Sequence, residues 1–99
     1  MTSAFKQEGS PVTITVSSSA SAATKLTDTP DVVRIANLGT ATVWVKFGDS
    51  TVSALTTTGM AIGAGVHEVQ RFPTKGPAYV SVIAAGSTGD IQFTPGSGL

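Results

Sequence analysis

Few residues in this chain could do chemistry. His67 is the single histidine, cysteine is absent, and the carboxylates are Glu8, Asp28, Asp31, Asp49, Glu68 and Asp90. His67, an aspartate and one of many serines can be combined on paper into a nucleophile and base. A working triad also needs a cleft and a preformed oxyanion hole, which a domain this small rarely provides. The serine of Gly48-Asp49-Ser50 is the natural one to test. A nucleophile elbow is a strand-to-helix turn, and the continuation Thr51-Val52-Ser53 does not supply one. The triplet therefore reads as a turn. Zinc needs several His, Cys or carboxylate ligands. Asp28 and Asp31 bracket a proline without the spacing of a calcium loop, so they read as turn formers. Phosphate loops open onto a helix N-terminus. No helical pattern follows Gly63-Ala64-Gly65 or Gly96-Ser97-Gly98. The expectation is a protein with no catalytic residue, no cofactor and no metal.

The residues must then act through surface, and the elements decide which surface. Alternation of apolar and polar residues dominates the chain. Val12-Thr13-Ile14-Thr15-Val16 is a strand, and Ser17 to Thr24 is a small-residue loop leading into a short strand near Thr24 to Leu26. Asp28-Thr29-Pro30-Asp31 is a turn. Val32 to Asn37 reads as a strand that returns through Leu38-Gly39-Thr40 to an antiparallel partner, Thr42 to Phe47. Thr51 to Gly65 is a long loop with one short strand near Met60 and Ile62. Val66 to Phe72 and Ala78 to Ala85 follow as strands, and Gly86-Ser87-Thr88-Gly89 reads as a hairpin loop into Asp90 to Thr94. Strand, Gly-Ser/Thr loop and strand ending in Phe occur twice, at 33–47 and 80–93. The expected fold is all-β: a single antiparallel β-sandwich, with the jelly roll as a candidate topology, of about seven or eight short strands. Residues 10–94 form that domain, with 1–9 as an N-terminal arm anchored by Phe5 and 95–99 as a C-terminal tail.

Within this frame Trp44 is the informative residue. Val43, Val45 and Phe47 make a core stripe, so Trp44 points the other way beside Thr42 and Lys46. An aromatic on an outer strand face is either covered by a loop or serves as an interface anchor. Trp44, Thr42, Lys46 and Phe5 are therefore the candidate partner-contact residues. His67 shares a strand face with Val69 and Arg71 and reads as solvated or interfacial.

Charge narrows the partner class. Six basic and six acidic residues cancel, and only 12% of the chain is charged, about half the usual share. The basic residues are scattered among acids, whereas a nucleic-acid binder clusters them to neutralise phosphates. No segment approaches a membrane span, and the first residues lack a basic head followed by an apolar run. The expected partner is protein, with neither nucleic acid nor membrane. Synthesis is expected in a cytoplasm.

In Val33-Arg34-Ile35-Ala36-Asn37-Leu38-Gly39, Val45-Lys46-Phe47-Gly48, Gly65 to Glu68, Val80 to Gly86, and Thr94-Pro95-Gly96-Ser97-Gly98, the sequence resembles the small β-sandwich virion proteins of tailed bacteriophages, especially head decoration or cement proteins. The resemblance implies a structural virion protein on the capsid surface. It would bind the major capsid protein, often as a symmetric homo-oligomer, and clamp neighbouring capsid subunits. It carries over no catalytic residue. A tail, neck or head-fibre component is the neighbouring alternative. A small carbohydrate-binding module, with Trp44 or Tyr79 stacking on sugar, is the alternative from another class.

Overall fold

The computed structural model describes residues 6–28, 30–73, 76–84 and 89–97. Among these residues nine strands run in chain order: β1 (Lys6–Gln7), β2 (Val12–Val16), β3 (Thr24–Thr27), β4 (Val32–Asn37), β5 (Val43–Gly48), β6 (Met60–Ile62), β7 (His67–Arg71), β8 (Ala78–Ala84) and β9 (Gly89–Ser97). All pairings are antiparallel. β1 and β2 lie one after the other along the same side of β9, broken at Glu8–Pro11. Counted as one interrupted strand, they give two sheets of four: β1/β2-β9-β4-β7 and β3-β8-β5-β6. The pairs β2–β9, β3–β8, β4–β7 and β5–β6 nest one inside the next and alternate between sheets. That is jelly-roll wiring.

Alternation places the core. Ile14, Val16, Val33, Ile35, Ile91 and Phe93 of the first sheet face Val43, Val45, Ile62, Val80, Val82 and Ala84 of the second. Each fully buried Val, Ile or Phe side chain adds about 1.5–3 kcal/mol of transfer free energy. Phe47 stands edge-on to both Phe72 and Phe93, with centroids 5.5 and 6.0 Å away, a favoured geometry for aromatic pairs.

Three sequence expectations change. Residues 32–37 and 42–47 are not hairpin partners. β4 pairs with β7 and β9, while β5 pairs with β6 and β8 in the other sheet. Likewise the segment around Gly86–Gly89 joins strands of different sheets, since β8 pairs with β3 and β5 and β9 does not; residues 85–88 themselves lie outside the described residues. The two sequence echoes are thus two arches between sheets. The first arch lies against the start of β9, where a Cβ on Gly89 would sit 3.0 Å from the Gly39 Cα. A side chain at either glycine would push the two backbones apart by a few tenths of an ångström.

The third change concerns the ends. Lys6 and Gln7 pair with Ser97 and Gly96, so part of the expected arm is strand. β9 also runs past Thr94 to Ser97. Proline is tolerated in this inner strand for a definable reason. The Pro95 carbonyl accepts from Glu8 N–H at 3.0 Å, so the Pro95 nitrogen also faces the β1/β2 side. Its missing N–H therefore falls at the break between those two segments, and bulged positions are where sheets accept proline.

Candidate functional site

Cross-strand partners share a face, so register assigns the outer surface of the second sheet. Trp44 pairs with Ile83 and Ala61, Lys46 with Ser81, and Gly48 with Tyr79. Val43 and Val45 are buried on the opposite face, so Trp44 does point outward. It is half-buried, Lys46 is exposed and Thr42 is half-buried. Phe5 lies outside the described residues.

The cover over this face comes from the β5–β6 loop. Ala54 is 0% exposed, and its N–H donates to Ser81 Oγ at 3.0 Å. Ser81 Oγ in turn donates to the Ser21 carbonyl at 2.8 Å. The loop is pinned to an outward-facing, fully buried serine of β8, so it folds back over the outer face. It then returns across Trp44, where a Cβ on Gly59 would lie 2.9 Å from Trp44 Cβ and 3.1 Å from the Leu55 carbonyl oxygen. Glycine at 59 is what lets the loop pass. Trp44 is consequently an anchor held half-open. Tyr79 is on the same sheet face but separated from Trp44 by the Lys46–Ser81 row, over which Ala54 is fixed.

The outer face of the first sheet carries polar side chains around buried Val32 and Ala36 and exposed Val69. Thr13 and Thr15 of β2 lie beside Gln92 and Asp90 of β9, and Arg34 lies beside Thr94 and Val69. Thr15 donates to Asp90 at 3.1 Å. Arg34 Nη2 lies 3.0 Å from His67 Nδ1. A guanidinium only donates, so Nδ1 is the acceptor in this contact. His67 is therefore exposed beside a cation, on the sheet opposite the Gly48-Asp49-Ser50 segment.

The remaining chemically suggestive residues have structural partners. Asp49 Oδ1 accepts from the Thr51 N–H at 2.8 Å and the Thr51 hydroxyl at 2.6 Å, an Asx turn. These donors hold the Asp49 carboxyl below its ordinary value. Lys25 pairs with Asp28, which raises the lysine's pKa through the hydrogen bond and the charge. Arg71 pairs with Asp31 at 3.2 Å. Gly63 O accepts from Val66 N–H across a turn whose third residue, Gly65, has φ 72°, as a type II turn requires. No group of three or more His, Cys, Asp or Glu side chains converges among the described residues, and no helix there is long and apolar enough to cross a membrane.

No family model, curated protein or solved structure matches the chain.

Asn37 is the residue that sequence reasoning passed over. It is 1% exposed. Its Nδ2 donates to the Ala41 carbonyl at 2.9 Å and the Ile62 carbonyl at 3.0 Å, and its Oδ1 accepts from Gly39 N–H at 3.1 Å. One amide thus shapes the β4–β5 arch and ties it to the end of β6. The available signal was Asn-x-Gly at a strand end, where an Asn side chain can bond to backbone two residues on.

Proposed function

We propose that this chain is a structural protein that docks on other protein surfaces, with the outer capsid surface of a tailed phage as its partner. In this reading it is a virion component that bridges major capsid subunits. The observation that carries the reading is Trp44, half-buried on an outer sheet face between half-buried Thr42 and exposed Lys46. A partly open indole can bury further apolar area against a partner. The sequence resemblance supplies the class of partner.

The test adds purified protein to capsids that lack it, pellets the particles and measures the bound copy number. Stoichiometry tied to the symmetry of the shell supports the reading. No co-sedimentation, or occupancy unrelated to the shell, overturns it. Trp44→Ala should weaken that binding by about 2 kcal/mol or more, while the isolated domain still unfolds cooperatively.

A further inference from the structure

Every open sheet invites pairing at its edges, and native proteins blunt those edges. Three of the four edges here carry such devices. The β1/β2 edge is broken between Gln7 and Val12, with Gly9 lying against Pro95. β3 shifts register between Lys25 and Thr27 and presents a lysine. β6 is three residues long. β7 differs in length and regularity: five residues, His67-Glu68-Val69-Gln70-Arg71, in unbroken register with β4, with Glu68 and Arg71 as its charges and no Pro, Gly or Lys among them.

The hydrogen-bond phase of this edge is fixed at both ends. Asn37 N–H donates to Val66 O, and Phe72 N–H donates to Asp31 O. Antiparallel ladders alternate, so residues 66, 68, 70 and 72 turn their backbone groups to β4. The N–H and C=O of His67 and Val69 therefore point out of the sheet, and among the described residues no other element meets them. Val66 and Val69 stand 42% and 37% exposed along the same edge.

We propose that β7 pairs with β7 of a second copy of this chain. A two-fold axis perpendicular to the sheet pairs antiparallel strands with like faces together. It needs at its centre a residue with both backbone groups turned outward. Val69, the middle of β7, is such a residue: it would exchange two hydrogen bonds with its own counterpart and set valine against valine on the outer face. In that register Glu68 falls opposite Gln70, an amide donor for the carboxylate. His67 falls opposite Arg71, whose guanidinium Asp31 already engages. No like-charged pair of carboxylates or lysines opposes the join, and the chain's net charge is zero, so little long-range repulsion acts against self-pairing. The two sheets would merge into one continuous sheet across the axis. This assignment stands apart from the capsid reading.

Sedimentation of the full chain across micromolar to millimolar concentration tests it, alongside Val69→Pro and Val69→Lys. Proline at 69 removes only an outward N–H, so the β4–β7 ladder keeps its bonds. Wild type should dimerise. Both variants should raise the dimer dissociation constant about 30-fold or more with an unchanged circular-dichroism spectrum. Amide exchange at His67 and Val69 should slow as wild type is concentrated. If Val69→Pro fails to fold, Val69→Lys decides alone. A wild type that stays monomeric, a dimer that survives Val69→Lys, or edge amides protected only when capsids are added would each overturn the proposal.

Discussion

Replacing Asn37 with alanine should be the most damaging polar substitution in the domain. The side chain makes three hydrogen bonds of 2.9, 3.0 and 3.1 Å from a site that is 1% exposed. Each contributes about 1 kcal/mol net, so their loss costs about 3 kcal/mol. The Ala41 and Ile62 carbonyls and the Gly39 N–H would also lose a partner, and unpaired buried groups carry the cost toward about 5 kcal/mol. Against a total stability of about 5–15 kcal/mol, that is a large fraction. For a domain of this size, 1 kcal/mol moves Tm by about 4–8 °C, so the smaller cost predicts a fall of about 12–24 °C. Asn37→Asp sharpens the test. A carboxylate would face the two carbonyl oxygens that now receive donors, whereas its protonated form keeps one donor. Folding would raise its pKa, so the variant should be most stable below the ordinary carboxylate range and lose stability as pH rises through it. Calorimetry of wild type, both variants and Thr13→Ala, an exposed control with one 3.4 Å contact, gives the answer. A midpoint for Asn37→Ala within 1–2 °C of the control (well under 1 kcal/mol) would refute the claim that this amide pins the arch.

Gly59→Ala should destabilise by about 1–3 kcal/mol, measured by denaturant unfolding, because the new methyl meets Trp44 Cβ and the Leu55 carbonyl. Trp44→Ala should not relieve that cost, since the Cβ remains. Phe93→Ala should cost about 3–5 kcal/mol, as it empties a site 0% exposed and removes the edge contact to Phe47. Asp49, whose pKa is lowered by its Thr51 donors, contributes stability present above its unfolded pKa and lost as pH falls through the lowered folded value. Asp49→Ala should flatten that part of the acid limb in a pH series of unfolding midpoints.

Period-two alternation made the strands and their inward faces legible, because it reports burial directly. It could not report partners. Val32–Asn37 and Val43–Gly48 look like a hairpin in sequence, yet the arch held by Asn37 and the contact of Gly39 with Gly89 send them to different sheets. Those determinants act between residues far apart in the chain. Pro95-Gly96-Ser97 carries every local mark of a tail, and its strand pairing depends on a gap in a distant edge. The direction of Trp44 was legible, whereas its cover was not. The loop from Asp49 to Gly59 has no period, and its anchor is a single hydroxyl on Ser81.

The order of synthesis gives the wiring a kinetic meaning. β9 lies inside its sheet, between β1/β2 and β4, and β8 lies inside the other, between β3 and β5. Both central strands therefore emerge from the ribosome after nearly all the strands they must join. Until then, among the described strands, β2 and β3 have no ladder partner, β4 has only β7 and β5 has only β6. Closing such long-range pairings is slow, and unpaired strands in the interval are prone to aggregate. The first sheet should therefore close, and the domain complete its fold, only after translation of β9. A ribosome-stalled chain that exposes residues only as far as Arg71, before both central strands, should remain open to protease.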